Sequence, residues 1–60
     1  MFVELDTRHG AGYTVSLEWD RGSGATQIVV LDSQEASPLV FPVPGAKAGD
    51  AFLHPFRYAP

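Results

Sequence analysis

The chain has no cysteine among its 60 residues, so neither disulfides nor thiolate metal ligands can hold it together. It is also poor in positive charge, with four Lys and Arg against seven Asp and Glu and a net charge of −3. There is no basic run, and with it the electrostatic footprint of a nucleic-acid binder is missing. No apolar run approaches the ~20 residues of a membrane-spanning helix. The opening Met1-Phe2-Val3-Glu4-Leu5-Asp6 lacks a positive segment and carries acids at once. It is therefore unlike a secretory signal, and the cytoplasm is the expected compartment. No repeat, linker or low-complexity tract interrupts the sequence, so residues 1–60 are expected to form one domain.

A chain this short buries only about 60% of the surface its unfolded form exposes. Without covalent staples its stability must come from a well-made core, from self-association or from a partner. The hydrophobic share of 45% and charged share of 18% are those of a globular domain, not a disordered one.

The clearest local signal is Tyr13-Thr14-Val15-Ser16-Leu17-Glu18-Trp19-Asp20. Its strict alternation places Tyr13, Val15, Leu17 and Trp19 on one face of a strand and Thr14, Ser16, Glu18 and Asp20 on the other. Val15, Leu17 and Trp19 are expected in the core, with Ser16 and Glu18 in water. Residues 2–6 read as a shorter strand, with Val3 and Leu5 on one face and Glu4 and Asp6 on the other. The glycines of Thr7–Gly12 mark the turn that makes a hairpin of the two. A second turn follows at Asp20–Gly24. Thr26–Leu31 is a continuous β-branched and apolar run, as expected for a central strand with both faces at least partly covered. After the connection 32–38, Leu39–Val43 is predicted as an edge strand, because Pro42 cannot donate a ladder hydrogen bond.

From Pro44 the pattern changes. A short helix is predicted near 46–53, opened by Pro44 and ended by His54-Pro55, with an extended tail over 56–60. The expected fold is mainly β, of the α+β kind: a four-stranded antiparallel meander with one short C-terminal helix packed on the sheet. The helix and tail are the only material left to cover an apolar sheet face. The alternative is a small β-barrel in which the tail adds a fifth strand.

Few residues suggest chemistry. Asp50 and His54 have the i, i+4 spacing of metal ligands, but two ligands do not close the four-coordinate shell zinc prefers. His9 has Asp6 nearby, a fragment of a catalytic triad, yet Ser16, Ser23, Ser33 and Ser37 have no nucleophile-elbow context. Gly22-Ser23-Gly24 lacks the lysine and helix of a phosphate loop and reads as a turn. Glu4, Asp6, Glu18 and Asp20 are expected to share the outer face of the first hairpin as a solvated acidic stripe. No catalytic, metal or cofactor-binding residue is assigned, and no cofactor is expected.

The ending Asp50-Ala51-Phe52-Leu53-His54-Pro55-Phe56-Arg57-Tyr58-Ala59 resembles that of short uncharacterised actinobacterial proteins, in which a β-rich body precedes a D-A-F-x-H-P-F-x-Y-A stretch. The resemblance implies a small bacterial protein and carries no activity. Arg outnumbering Lys fits a GC-rich source. Aromatic and apolar residues exceed what so small a core can hide, which points to a non-enzymatic protein-interaction module that binds itself or another protein. Tyr13, Trp19, Phe52, Phe56 and Tyr58 are the candidate interaction surface. A homodimer is expected, either by pairing of the unguarded first strand or by packing of exposed aromatics. The alternative function is a small-ligand or nucleic-acid-binding β-domain, although nucleic acid suits the charge poorly.

Overall fold

The computed structural model describes all 60 residues, Met1–Pro60. Four strands, β1 (Phe2–Gly10), β2 (Tyr13–Asp20), β3 (Thr26–Asp32) and β4 (Leu39–Val43), form one antiparallel sheet in the order β1-β2-β3-β4. β1 and β4 do not pair, so the sheet is open and the barrel alternative is excluded. A 3-10 turn at Gly45–Lys47 leads into helix α1 (Ala48–Leu53), and a second 3-10 turn at Pro55–Arg57 replaces the expected extended tail.

The first hairpin is tighter and longer than the sequence predicts. β1 runs on to Gly10, which pairs with Tyr13, so the turn is Ala11-Gly12 alone. Both residues have positive φ, 52° and 82°, the condition for a two-residue turn whose twist matches its strands. Thr7, Arg8 and His9, expected in the turn, are strand residues.

Their placement depends on a bulge. Glu4 pairs with Glu18 and Asp6 with Leu17, leaving Leu5 as an extra residue. The bulge reverses the alternation of β1. Asp6 and Arg8 join the row of Leu17 and Val15, on the side that carries α1, while Thr7 and His9 turn to the outer face. The expected placing of Asp6 with Glu4 on one face is thereby corrected, and the acidic stripe is reduced to Glu4, Glu18 and Asp20. Asp6 instead accepts from the Thr7 amide at 2.8 Å. Asp20 is held in the β2–β3 turn by the Gly22 amide and the Ser23 hydroxyl, each at 3.0 Å.

The core lies between the sheet and α1. It comprises Val15, Ile28, Val30, Phe41 and Val43 from the strands and Ala48 and Ala51 from the helix, with Tyr13, Leu17, Phe52, Tyr58 and Ala59 packed around it. Ile28 is completely enclosed. Ala48, Ala51, Phe52 and Pro55 recur at i, i+3, i+4 and i+7, so they form the inward stripe of the C-terminal segment. The two alanines let the helix backbone lie close to the sheet.

Two core expectations need correction. Trp19 faces the helix side but is only half-buried and stands outside the core cluster, in a row with Val3, Thr26 and Val43 at the far end of the sheet. Ser16, expected in water, is 8% exposed. Its hydroxyl meets Thr7 Oγ1 at 3.1 Å and donates to Glu4 Oε1 at 3.4 Å, because the bulge brings Thr7 opposite it.

β3 is central, as its composition predicts, but only one of its faces is covered. Val29 is half-buried on the outer face, and Leu31 is 47% exposed there.

Candidate functional site

Two surfaces remain after the core is accounted for: a groove on the helix side and the uncovered outer face of the sheet.

The groove, of about 580 Å³, lies between the tip of the β1–β2 hairpin and the segment that follows α1. Val15 and Tyr13 form its floor, Gly10 and Ala11 one lip, and Leu53 to Arg57 the other. Arg8 organises the far side. Its Nε donates to the Phe52 carbonyl at 2.8 Å and its Nη2 to the Leu53 carbonyl at 3.0 Å. These are last-turn carbonyls with no partner inside the helix, so a strand residue caps α1. The guanidinium also stands 5.7 Å from the centre of the Phe52 ring, a cation–π distance. Phe56 meets Tyr13 edge-to-face, centroids 5.1 Å apart. That pair divides the groove from a smaller cleft of about 180 Å³ beyond it, where Asp32 and Glu35 lie.

The aromatic residues singled out in the sequence do not form one surface. Tyr13 and Phe56 line the groove, and Phe56 is 57% exposed. Phe52 and Tyr58 are half-buried against the core. Trp19 lies six residues along β2 from Tyr13, about 20 Å away. Leu53, 60% exposed on the groove's lip, was missed, and only the helical stripe beside it could have marked it as outward.

Tyr58 has a structural partner. Its hydroxyl donates to Asp50 Oδ2 at 2.6 Å, and Arg57 Nη1 approaches the same carboxylate at 3.3 Å. The Tyr58 hydrogen bond, helped by the charges of Arg57 and His54, holds the Asp50 carboxyl below its ordinary value of 3.8. That hydrogen bond in turn pushes the Tyr58 phenol above 10.0. Asp50 is thus committed to closing the C-terminal segment on itself, while His54 lines the groove. His9 bonds Thr14 Oγ1 through Nδ1 at 3.0 Å on the outer face, away from Asp6, so the Asp6–His9 pair does not form.

The outer face is divided across its rows. Thr7 and Ser16 align with Val29 and Val40; Glu4 and Glu18 align with Gln27 and Pro42; His9 and Thr14 align with Leu31. The β1–β2 half is polar and acidic, and the β3–β4 half is apolar, with Leu31 47% and Val40 48% exposed. Glu18 accepts from Gln27 Nε2 at 2.8 Å, at the boundary between the halves.

No helix is long and apolar enough to cross a membrane. No protein-family model, curated protein or solved structure matches the chain.

Proposed function

We propose that this chain is a non-enzymatic interaction module that associates with a second copy of itself through the apolar half of its outer sheet face. The observation that supports this is the mismatch at β3. Its sequence is apolar on both sides, but α1 covers only one, leaving Val29, Leu31, Val40 and Pro42 contiguous and without a layer over them. A sheet face of this kind is ordinarily packed.

A second copy suits the charge pattern. The outer face carries Glu4 and Glu18 but no Lys or Arg, because Arg8 points to the helix side and Arg21, Lys47 and Arg57 lie outside the sheet. A two-fold arrangement stacks apolar half on apolar half and sends the acidic halves to opposite rims, away from each other. Pairing through β1 is less favoured. The bulge at Leu5 and the charges of Glu4, Asp6 and Arg8 are all features that protect an edge. The sheet is about 19 Å wide, and half of it falls short of the roughly 800 Å² per partner of tight interfaces. The association is therefore weak, with a Kd in the micromolar range or above.

Sedimentation from about 1 µM to 1 mM tests it, a range chosen to span that affinity. The mass should rise from 6.5 kDa toward twice that value. Val40→Lys, on an exposed edge position, should keep the fold and remain monomeric throughout. A monomer at the highest concentration, or association undiminished by Val40→Lys, refutes the proposal.

A further inference from the structure

We infer that the groove between the β1–β2 hairpin tip and the Leu53–Arg57 segment binds a small organic monocarboxylate with an aromatic or aliphatic body. The site lies on the opposite side of the sheet from the proposed self-association face and does not depend on it.

The charge of the groove runs against that of the molecule. The chain has only four Lys and Arg and a net charge of −3. Two of those four, Arg8 and Arg57, line this one groove together with His54, and no Asp or Glu lines it. Asp50 lies just outside, 3.3 Å from Arg57, while Asp32 and Glu35 belong to the cleft behind the Tyr13–Phe56 wall.

Arg8 is prepared for such a ligand. It takes part in neither of the chain's ion pairs. Its Nε and Nη2 edge is clasped by the carbonyls of Phe52 and Leu53, which fixes the guanidinium plane. The other edge, Nη1 with the second Nη2 hydrogen, is a planar two-donor fork of the geometry a carboxylate accepts. The ordering of the side chain is already provided by the fold, so less freedom is lost on binding. Arg57 is shared with Asp50 at 3.3 Å and supplies only part of a charge. One free guanidinium and one half-neutralised match a monoanion better than a dianionic phosphate.

The rest of the groove is apolar. Val15, Tyr13, Phe56 and Leu53 offer a floor and walls to a hydrocarbon body, and exposed Phe56 and Leu53 gain most by being covered. Ala11, held at a φ of 52° that alanine disfavours, keeps the hairpin tip turned beside the groove.

The test is a titration of the ¹⁵N-labelled full chain with phenylacetate, followed by two-dimensional NMR, with phenylacetamide as the uncharged isostere. Phenylacetate should give saturable shifts at the Gly10 and Ala11 amides, the Phe56 amide and the Arg8 Nε–H. A ligand of this size is expected to half-saturate in the low millimolar range. Phenylacetamide should bind at least about tenfold more weakly, because it loses the charge-assisted hydrogen bonds. Gly10→Leu should abolish the shifts. Gly10 has no positive φ and a Cβ there meets nothing within 4 Å, so the fold accepts a side chain that enters the groove. Arg57→Gln, at an exposed position, should weaken phenylacetate severalfold and leave phenylacetamide unchanged. The inference is overturned by equal shifts from the two compounds, or by no saturation at about 50 mM, beyond the reach of a specific site for such a ligand. It is also overturned by full affinity in Arg57→Gln or in a folded Gly10→Leu.

Discussion

Ile28→Ala is the sharpest probe of the fold, because Ile28 is the one large side chain with no exposed surface. The change removes three carbons, which at ~0.8 kcal/mol per buried methylene is about 2.4 kcal/mol. A residual cavity of ~50 Å³ at ~24 cal/mol per Å³ adds about 1.2 kcal/mol. The sum, ~3.6 kcal/mol, falls within the range measured for such truncations. A domain of this length has a total stability of roughly 3–9 kcal/mol, so the variant should be largely unfolded or close to it at 25 °C. Ile28→Val removes a single methylene and should cost ~1 kcal/mol, lowering the Tm by about 4–8 °C. Leu31→Ala, three residues on and on the outer face, should cost well under 1 kcal/mol in the monomer. Urea unfolding at sub-micromolar concentration, followed by Trp19 fluorescence, keeps association out of the measurement and gives all three values. A cost for Leu31→Ala as large as that of Ile28→Ala, which likewise removes three carbons, would mean that the two faces of β3 are equally buried, and would refute the register.

Ser16→Ala should cost about 1 kcal/mol in the same assay, since it removes a buried hydroxyl's bonds to Thr7 and Glu4; no change would show that this contact does not stabilise the fold. Ala11→Asn creates an Asn-Gly turn at the two positive-φ positions and should raise stability by a few tenths to 1 kcal/mol; a loss of stability would refute that turn geometry. The Asp50–Tyr58 pair predicts the pH profile. The Asp50 pKa is lowered, so its stabilisation is present above about 3.8 and lost as pH falls through the lower folded value. The Tyr58 pKa is raised, so its stabilisation is present below about 10 and lost as pH rises through the higher folded value. Tyr58→Phe should therefore flatten both the alkaline and the acid sides of a Tm-versus-pH curve, and an unchanged curve would refute the pairing. A chain ending at Val43 loses Ala48, Ala51 and Pro55 from the interior and should show no cooperative melting by calorimetry; retention of the full transition would show that the segment is dispensable.

Much of the fold is legible in local pattern. The alternation Tyr13–Asp20, the β-branched run of β3 and Pro42 in β4 each report a property of a single strand, and period and proline chemistry suffice for that. The short connections then leave an antiparallel meander as the simplest arrangement. His54-Pro55 ends the helix by a steric rule that needs no tertiary information. The long-range consequences were not legible. Nothing in Phe2–Gly10 announces that Leu5 is skipped by its partner strand, because a bulge is defined by the register of two chains. Yet that bulge sends Asp6 and Arg8 to the helix side, buries Ser16 against Thr7 and takes Asp6 out of the acidic stripe. The groove follows from the same event. Arg8 reaches the end of α1 across 44 residues of sequence, and Phe56 reaches Tyr13 only because the tail folds back as a 3-10 turn. Local periodicity is set by the backbone of each segment, but which side chains meet is set by how segments are offset, and that offset is decided only when they pack.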